Sequence, residues 1–200
     1  MERRYLILLL AIALLVLAVV PAALAGPKGT DRPFKGSATG EALFGYDDGQ
    51  GSKGLSNVFD CDEGVGLPPE IRDYFRITTF TSADGVASHL GKVHMEFAHC
   101  ANPYIGGPVD GQLGIVAANG DVLYGEYNGT EDGILVTFLP KMSSARPTCE
   151  LLNGVPCEST GRFADASGNA LLQAGAEQSD PDDPFVPWSW WGDWKGEISY

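Results

Sequence analysis

Three histidines, His89, His94 and His99, recur at a five-residue interval in the middle of the chain. Imidazole is the side chain best suited to proton transfer near neutral pH and to metal ligation. On a regular strand an odd interval places His89 and His99 on one side and His94 on the other, so the three cannot share one metal without a bulge. His99 continues the alternating line Val93, Met95, Phe97 and so points toward an interior, where it could orient a ligand or act as a general base. It is the candidate catalytic residue, and with Val93, Met95 and Phe97 it forms the first part of a candidate ligand-binding set. His94 and Glu96 read as surface groups on the opposite face.

The rest of that set comes from Phe185-Val186-Pro187-Trp188-Ser189-Trp190-Trp191, four aromatics in seven residues. If exposed, Trp188, Trp190 and Trp191 would mark a surface for a sugar, a lipid or another protein; if buried, they cap one end of the core. Asp180, Asp182 and Asp183 cluster between prolines without the spacing of a calcium loop, which reads as a solvated linker, and no metal site is expected. Gly49-Gln50-Gly51-Ser52-Lys53-Gly54 fits G-x-G-x-x-G, but no helical repeat follows it, so a turn is expected and no nucleotide cofactor. Asn128-Gly129-Thr130 is a glycosylation sequon that reads here as a hairpin loop. No serine-hydrolase elbow or H-E-x-x-H pair occurs.

Cys61, Cys100, Cys149 and Cys157 make an even count, which in an oxidising compartment favours two disulfides. Three connectivities are open; the Gly- and Pro-containing loop between Cys149 and Cys157 favours that pair, and hence Cys61 with Cys100. The absence of a C-x-x-C pair argues against zinc.

Export is written at the N-terminus. Residues 1–25 carry a short basic start (Arg3, Arg4), an unbroken apolar run from Leu6 to Val20 and a final A-x-A, Ala23-Leu24-Ala25, the pattern of a cleaved secretory signal. The expected location is secreted or extracytoplasmic, with a retained membrane anchor as the alternative. Removing Glu2, Arg3 and Arg4, net +1, takes the formal charge from −13 to −14. Such a chain repels phosphate backbones and anionic headgroups, so neither nucleic acid nor, after cleavage, a membrane is an expected partner.

Residues 26–33 read as a flexible lead and residues 34–200 as one domain. Two apolar runs, Leu113–Ala117 and Val122–Gly125, meet at Asn119-Gly120, which predicts a hairpin with a two-residue type I′ turn and positive φ at both central residues. Further strands are expected over Phe34–Tyr46, Tyr74–Ser82, Ala87–Cys100, Ile134–Leu139, Ala170–Gln178 and Trp190–Tyr200, with Ala83-Asp84-Gly85 as the turn between the second and third segments named. In the last, Trp194, Ile198 and Tyr200 share one face. No sustained 3.6-residue repeat follows the signal, so helix is confined to a turn or two. The class is all-β: an eight-stranded antiparallel barrel with long loops, or a two-sheet sandwich, which periodicity cannot separate from it.

Thr160-Gly161-Arg162-Phe163-Ala164-Asp165-Ala166-Ser167-Gly168 resembles the Thr-Gly-[Arg/Lys]-Phe-x-x-Ala-x-Gly turn of the allene oxide cyclase-like and dirigent-like barrels. Ser88-His89-Leu90-Gly91 and Ala118-Asn119-Gly120-Asp121 are similar to segments preceding it in secreted bacterial members of unknown function. The resemblance, over roughly Phe34 to Tyr200, implies a single eight-stranded calycin-like barrel with a central apolar cavity, often oligomeric in the plant members. The expected function is non-catalytic binding of a small apolar ligand or a partner. A cyclase or isomerase using His99 and a structural envelope or adhesion module are the alternatives.

Overall fold

In the computed structural model, the described residues are 29–47, 52–53, 77–102, 107–143, 152–182 and 186–200. The signal segment, most of the glycine motif, Cys61, Cys149, Asp183 and Phe185 lie outside them. Among the described residues no helix is long and apolar enough to cross a membrane.

Asp31–Tyr200 form one unit. Its strands are β1 (Arg32–Asp47), the two-residue β2 (Ser52–Lys53), β3 (Ile77–Ala87), β4 (Gly91–Asn102), β5 (Gly107–Ala117), β6 (Val122–Thr130), β7 (Gly133–Leu139), β8 (Ser167–Gln178) and β9 (Trp188–Ser199). All neighbours are antiparallel, β2 only extends the edge of β1, and the other eight follow one another until β9 pairs back onto β1 from Ala42↔Trp188 to Arg32↔Ile198. That last pairing closes the barrel and removes the sandwich alternative.

Alternation supplies the lumen. Phe34, Val93, Met95, Phe97, Leu113, Ile115, Leu123, Val136, Phe138, Leu172, Trp194 and Ile198 belong to one contiguous buried cluster. Each such side chain contributes about 1.5–3 kcal/mol of transfer free energy. A second, smaller cluster lies outside the barrel, where the strap between β7 and β8 folds over β4–β6 and covers Ala98 and Tyr124 with Leu152. Outward positions there are therefore apolar as well, which blurs the period-two signal in β6.

Two turns depart from the sequence reading. The β3–β4 reversal falls at Ser88-His89-Leu90, not at Ala83-Asp84-Gly85, and His89 takes φ 69° there. Asp84 and Gly85 lie inside β3; a Cβ on Gly85 would overlap the Ser37 carbonyl oxygen of β1, so this glycine serves close strand approach in a tightly coiled barrel. At the β5–β6 hairpin Gly120 has φ 86° but Asn119 is not left-handed, and the Gly120 amide donates to the Ala117 carbonyl at 2.9 Å. The loop is thus a three-residue connection with glycine at its left-handed end, the next commonest solution after type I′. β1 begins at Arg32, so the end of the expected loose lead is already paired.

The three segments that carry the family resemblance converge on one end of the barrel. Thr160 exchanges bonds with Val122: its amide donates to the Val122 carbonyl at 2.8 Å and its Oγ1 accepts from the Val122 amide at 2.9 Å. The 3₁₀ turn Gly161–Phe163 then drives Phe163, fully buried, into the lumen against Tyr200. Arg162 donates to the His89 carbonyl at 2.6 Å, and its amide donates to Asp121 Oδ2 at 3.3 Å. This end is plugged.

Candidate ligand site at the His99 end of the lumen

His99 lies at the opposite end, on the inner face of β4 as expected. Between Ala98 and Cys100 the β4–β5 register slips by one residue, so His99 faces two residues of β5, Asp110 and Gly111. Across β3 its partner is Thr79. Its Nδ1 is 2.8 Å from the Tyr127 hydroxyl, and the two rings meet edge to face at 5.7 Å. Gly111 makes room for that tyrosine, since a Cβ there would overlap the phenol ring.

Electrostatics at this end follow from desolvation. Burial pushes the His99 pKa down to about 4 and raises that of Tyr127 well above its ordinary value. Both groups are therefore neutral at physiological pH. The Tyr127 hydroxyl, on a residue only 2% exposed, has no second partner among the described residues. Its proton must go to Nδ1 if it is not to be an unsatisfied buried donor, and this fixes the imidazole hydrogen on Nε2. Nε2 bonds no described residue. Thr79 Oγ1 and Trp194 Nε1 are buried without a hydrogen-bond partner. No described residue accepts from any of these three donors.

Aromatic rings adjoin these groups through Tyr127. Phe97 lies 5.1 Å from Trp190 and stacks on Trp194 at 5.7 Å, with Tyr127 edge-on at 6.0 Å. Of the expected ligand set, Phe97, His99 and Trp190 are brought together here, with Trp188 half-buried on the same inward register. Val93 and Met95 sit deeper, packed into the core. Trp191 departs from the expectation: it faces outward, 46% exposed, with its indole laid over Gly175 of β8. A strand cannot send adjacent residues to one face, so the tryptophan cluster is divided between lumen and surface. Thr79 and Tyr127 were not legible as site residues. Tyr127 follows Leu123 and Gly125 at period two, but the equally apolar Tyr124 obscures which set faces in.

The outer face holds a second titratable group. His94 bridges two carboxylates, Asp84 Oδ1 at 2.9 Å from Nδ1 and Glu96 Oε1 at 2.8 Å from Nε2. The Asp84 hydrogen bond, and after it Glu96, raises the His94 pKa against an opposing desolvation. Glu96 is not the surface group expected. It is 1% exposed because the strap covers it, and it also accepts from Ser82 Oγ at 3.1 Å. Beside this chain a shallow groove of about 440 Å³ crosses β1, β3 and β4, lined by Thr39, Asp84, Val86 and Lys92, with both charges and no aromatic wall.

The described residues of the remaining candidates take local structural roles. Among the described residues no cluster of His, Cys, Asp or Glu could hold a metal. Asp180 accepts from the Asp182 amide at 2.9 Å in a local turn. Asn128-Gly129-Thr130 ends β6, with Thr130 Oγ1 donating to the Gly133 carbonyl at 2.9 Å. Ser52 and Lys53 of the glycine motif pair with Asp47 and Tyr46 of β1. Cys100 is buried, Cys157 half-buried, and no cysteine among the described residues is free. The chain matches no protein-family model, no curated protein and no solved structure.

Proposed function

We propose that this protein is an exported binding barrel that takes up a small apolar molecule at the His99 end of its lumen. One observation carries the reading: an aromatic-lined end of the barrel where Thr79 Oγ1 is buried without a hydrogen-bond partner and the neutral His99 bonds no described residue through Nε2. Apolar walls with a few polar groups that set orientation are the usual composition of a small-molecule site. Export by the N-terminal signal, disulfides Cys61–Cys100 and Cys149–Cys157, and kinship with the allene oxide cyclase-like barrels complete the proposal; the convergence of the three resembling segments on the plugged end supports the kinship.

The test is native mass spectrometry of protein recovered from the medium of cells that make it. A bound species that is released on denaturation, and is missing from a His99→Ala variant that still folds, is the expected result. Protein free of any bound small molecule in repeated preparations, and unresponsive in its tryptophan emission to added apolar probes, refutes the reading.

A cyclase or isomerase activity is the second reading, favoured by the neutral His99 imidazole, whose Nε2–H can polarise a substrate oxygen while Tyr127 holds Nδ1. Turnover of a reactive epoxide that is unchanged in His99→Ala dismisses it.

A further inference from the structure

We infer that the molecule held at the His99 end is uncharged and presents a carbonyl oxygen, accepted between the Thr79 hydroxyl and the His99 Nε2–H. The inference rests on the binding role proposed above and names the chemical class that this site takes.

The donor balance comes first. Thr79 and His99 are direct cross-strand partners on the inner faces of β3 and β4, which places their Cβ atoms about 5 Å apart. The Thr79 hydroxyl is 4% exposed and bonds nothing. Nε2 carries the imidazole hydrogen because Tyr127 donates to Nδ1. One layer deeper, Trp194 Nε1 is a further buried donor without a partner. A ligand that supplies acceptors relieves unpaired donors, whereas one that supplies only donors leaves them unpaired, at about 1–3 kcal/mol each. A carbonyl oxygen has two lone pairs and can serve both groups at once.

Charge comes second. Among the described residues, Arg32 on its inward register and Arg162 sit at the far end, over Tyr200 and Phe163. A carboxylate at the His99 end would find no cation among the described side chains, and the desolvation that keeps the imidazole neutral would act on the anion too. An ammonium would leave the Thr79 hydroxyl and the Nε2–H unpaired, because it brings only donors. A neutral acceptor escapes both penalties. The aromatic rings of Phe97, Trp190 and Tyr127 suit a flat apolar body behind the oxygen.

Three probes of one shape test this on the folded, exported protein: 2-acetylnaphthalene, 2-ethylnaphthalene and 2-naphthoate, titrated calorimetrically at pH 7.5. The ketone should bind at least fivefold more tightly than the hydrocarbon and at least tenfold more tightly than the carboxylate. Thr79→Val, which keeps the shape and removes the hydroxyl, should weaken the ketone about fivefold and leave the hydrocarbon unchanged. A carboxylate that binds as well as the ketone, or a Thr79→Val variant that treats ketone and hydrocarbon as the wild type does, overturns the inference and leaves the binding role standing. If none of the three binds, the binding role itself fails, and the inference with it.

Discussion

Truncating the plug is the sharpest test of how this barrel is held together. Phe163 is fully exposed only in an unfolded chain; in the fold its accessibility is 0% and its ring meets Tyr200 edge to face at 4.9 Å, with the Arg162 guanidinium 4.7 Å from its centroid. Phe163→Ala removes a large ring from a site whose walls, at the ends of β6 and β9, are tied into the closed sheet and cannot collapse freely. Buried Phe→Ala changes of this kind cost about 3–5 kcal/mol. At about 2–4 °C per kcal/mol for a domain of this size, the melting temperature should fall by roughly 10 °C. In guanidinium titrations the midpoint should drop while the slope against denaturant stays as in the wild type, since the same surface is exposed on unfolding. The naphthyl ketone should bind the folded variant as before, because its site is at the other end. A loss below about 1 kcal/mol would mean that the plug is not part of the cooperative core, and weakened ketone binding would mean that the two ends are not independent.

Two histidines should give the protein opposed pH dependences. His94 has a raised pKa in the fold, so its stabilising contribution is fully present below the ordinary value of 6.5 and is lost as pH climbs through the raised one. His94→Gln should flatten that alkaline limb of a denaturant-midpoint profile, and identical limbs in both proteins would refute the bridging role of its two nitrogens. For His99 the sign reverses: with its pKa lowered to about 4, stability declines as pH falls from 6.5 toward 4 and is constant below. Gly85→Ala should destabilise by about 3 kcal/mol, because the added Cβ collides with backbone of β1 and backbone cannot yield as a side chain would. A variant as stable as the wild type would return Gly85 to a turn role.

Much of the fold was legible one segment at a time. The alternation of Val93, Met95 and Phe97 against His94 and Glu96 gave both faces of β4, and Trp194, Ile198 and Tyr200 gave those of β9, because a pleated strand sorts neighbours by parity whatever surrounds it. Punctuation located the β5–β6 turn at Gly120, and Pro140 stops β7 where expected, whereas Ala83-Asp84-Gly85 misplaced the β3–β4 turn. The His99 side of the site was readable for the same reason.

Tertiary structure decided what parity cannot carry. Closure depends on β1 meeting β9, which lie at opposite ends of the domain, and no local pattern separates that pairing from a sandwich. Gly85 looks like a turn residue in sequence, yet it is required by an approaching backbone, and glycine satisfies both demands alike. Glu96 became a buried carboxylate only when a strap nearly sixty residues away folded over it. Thr79 and Tyr127 were ordinary strand residues until the sheet curled and set them beside His99. Sequence fixes which way each side chain faces because that is a property of the local backbone; which side chains then meet is set by the closing of the sheet, and the chemistry of the site resides in that meeting.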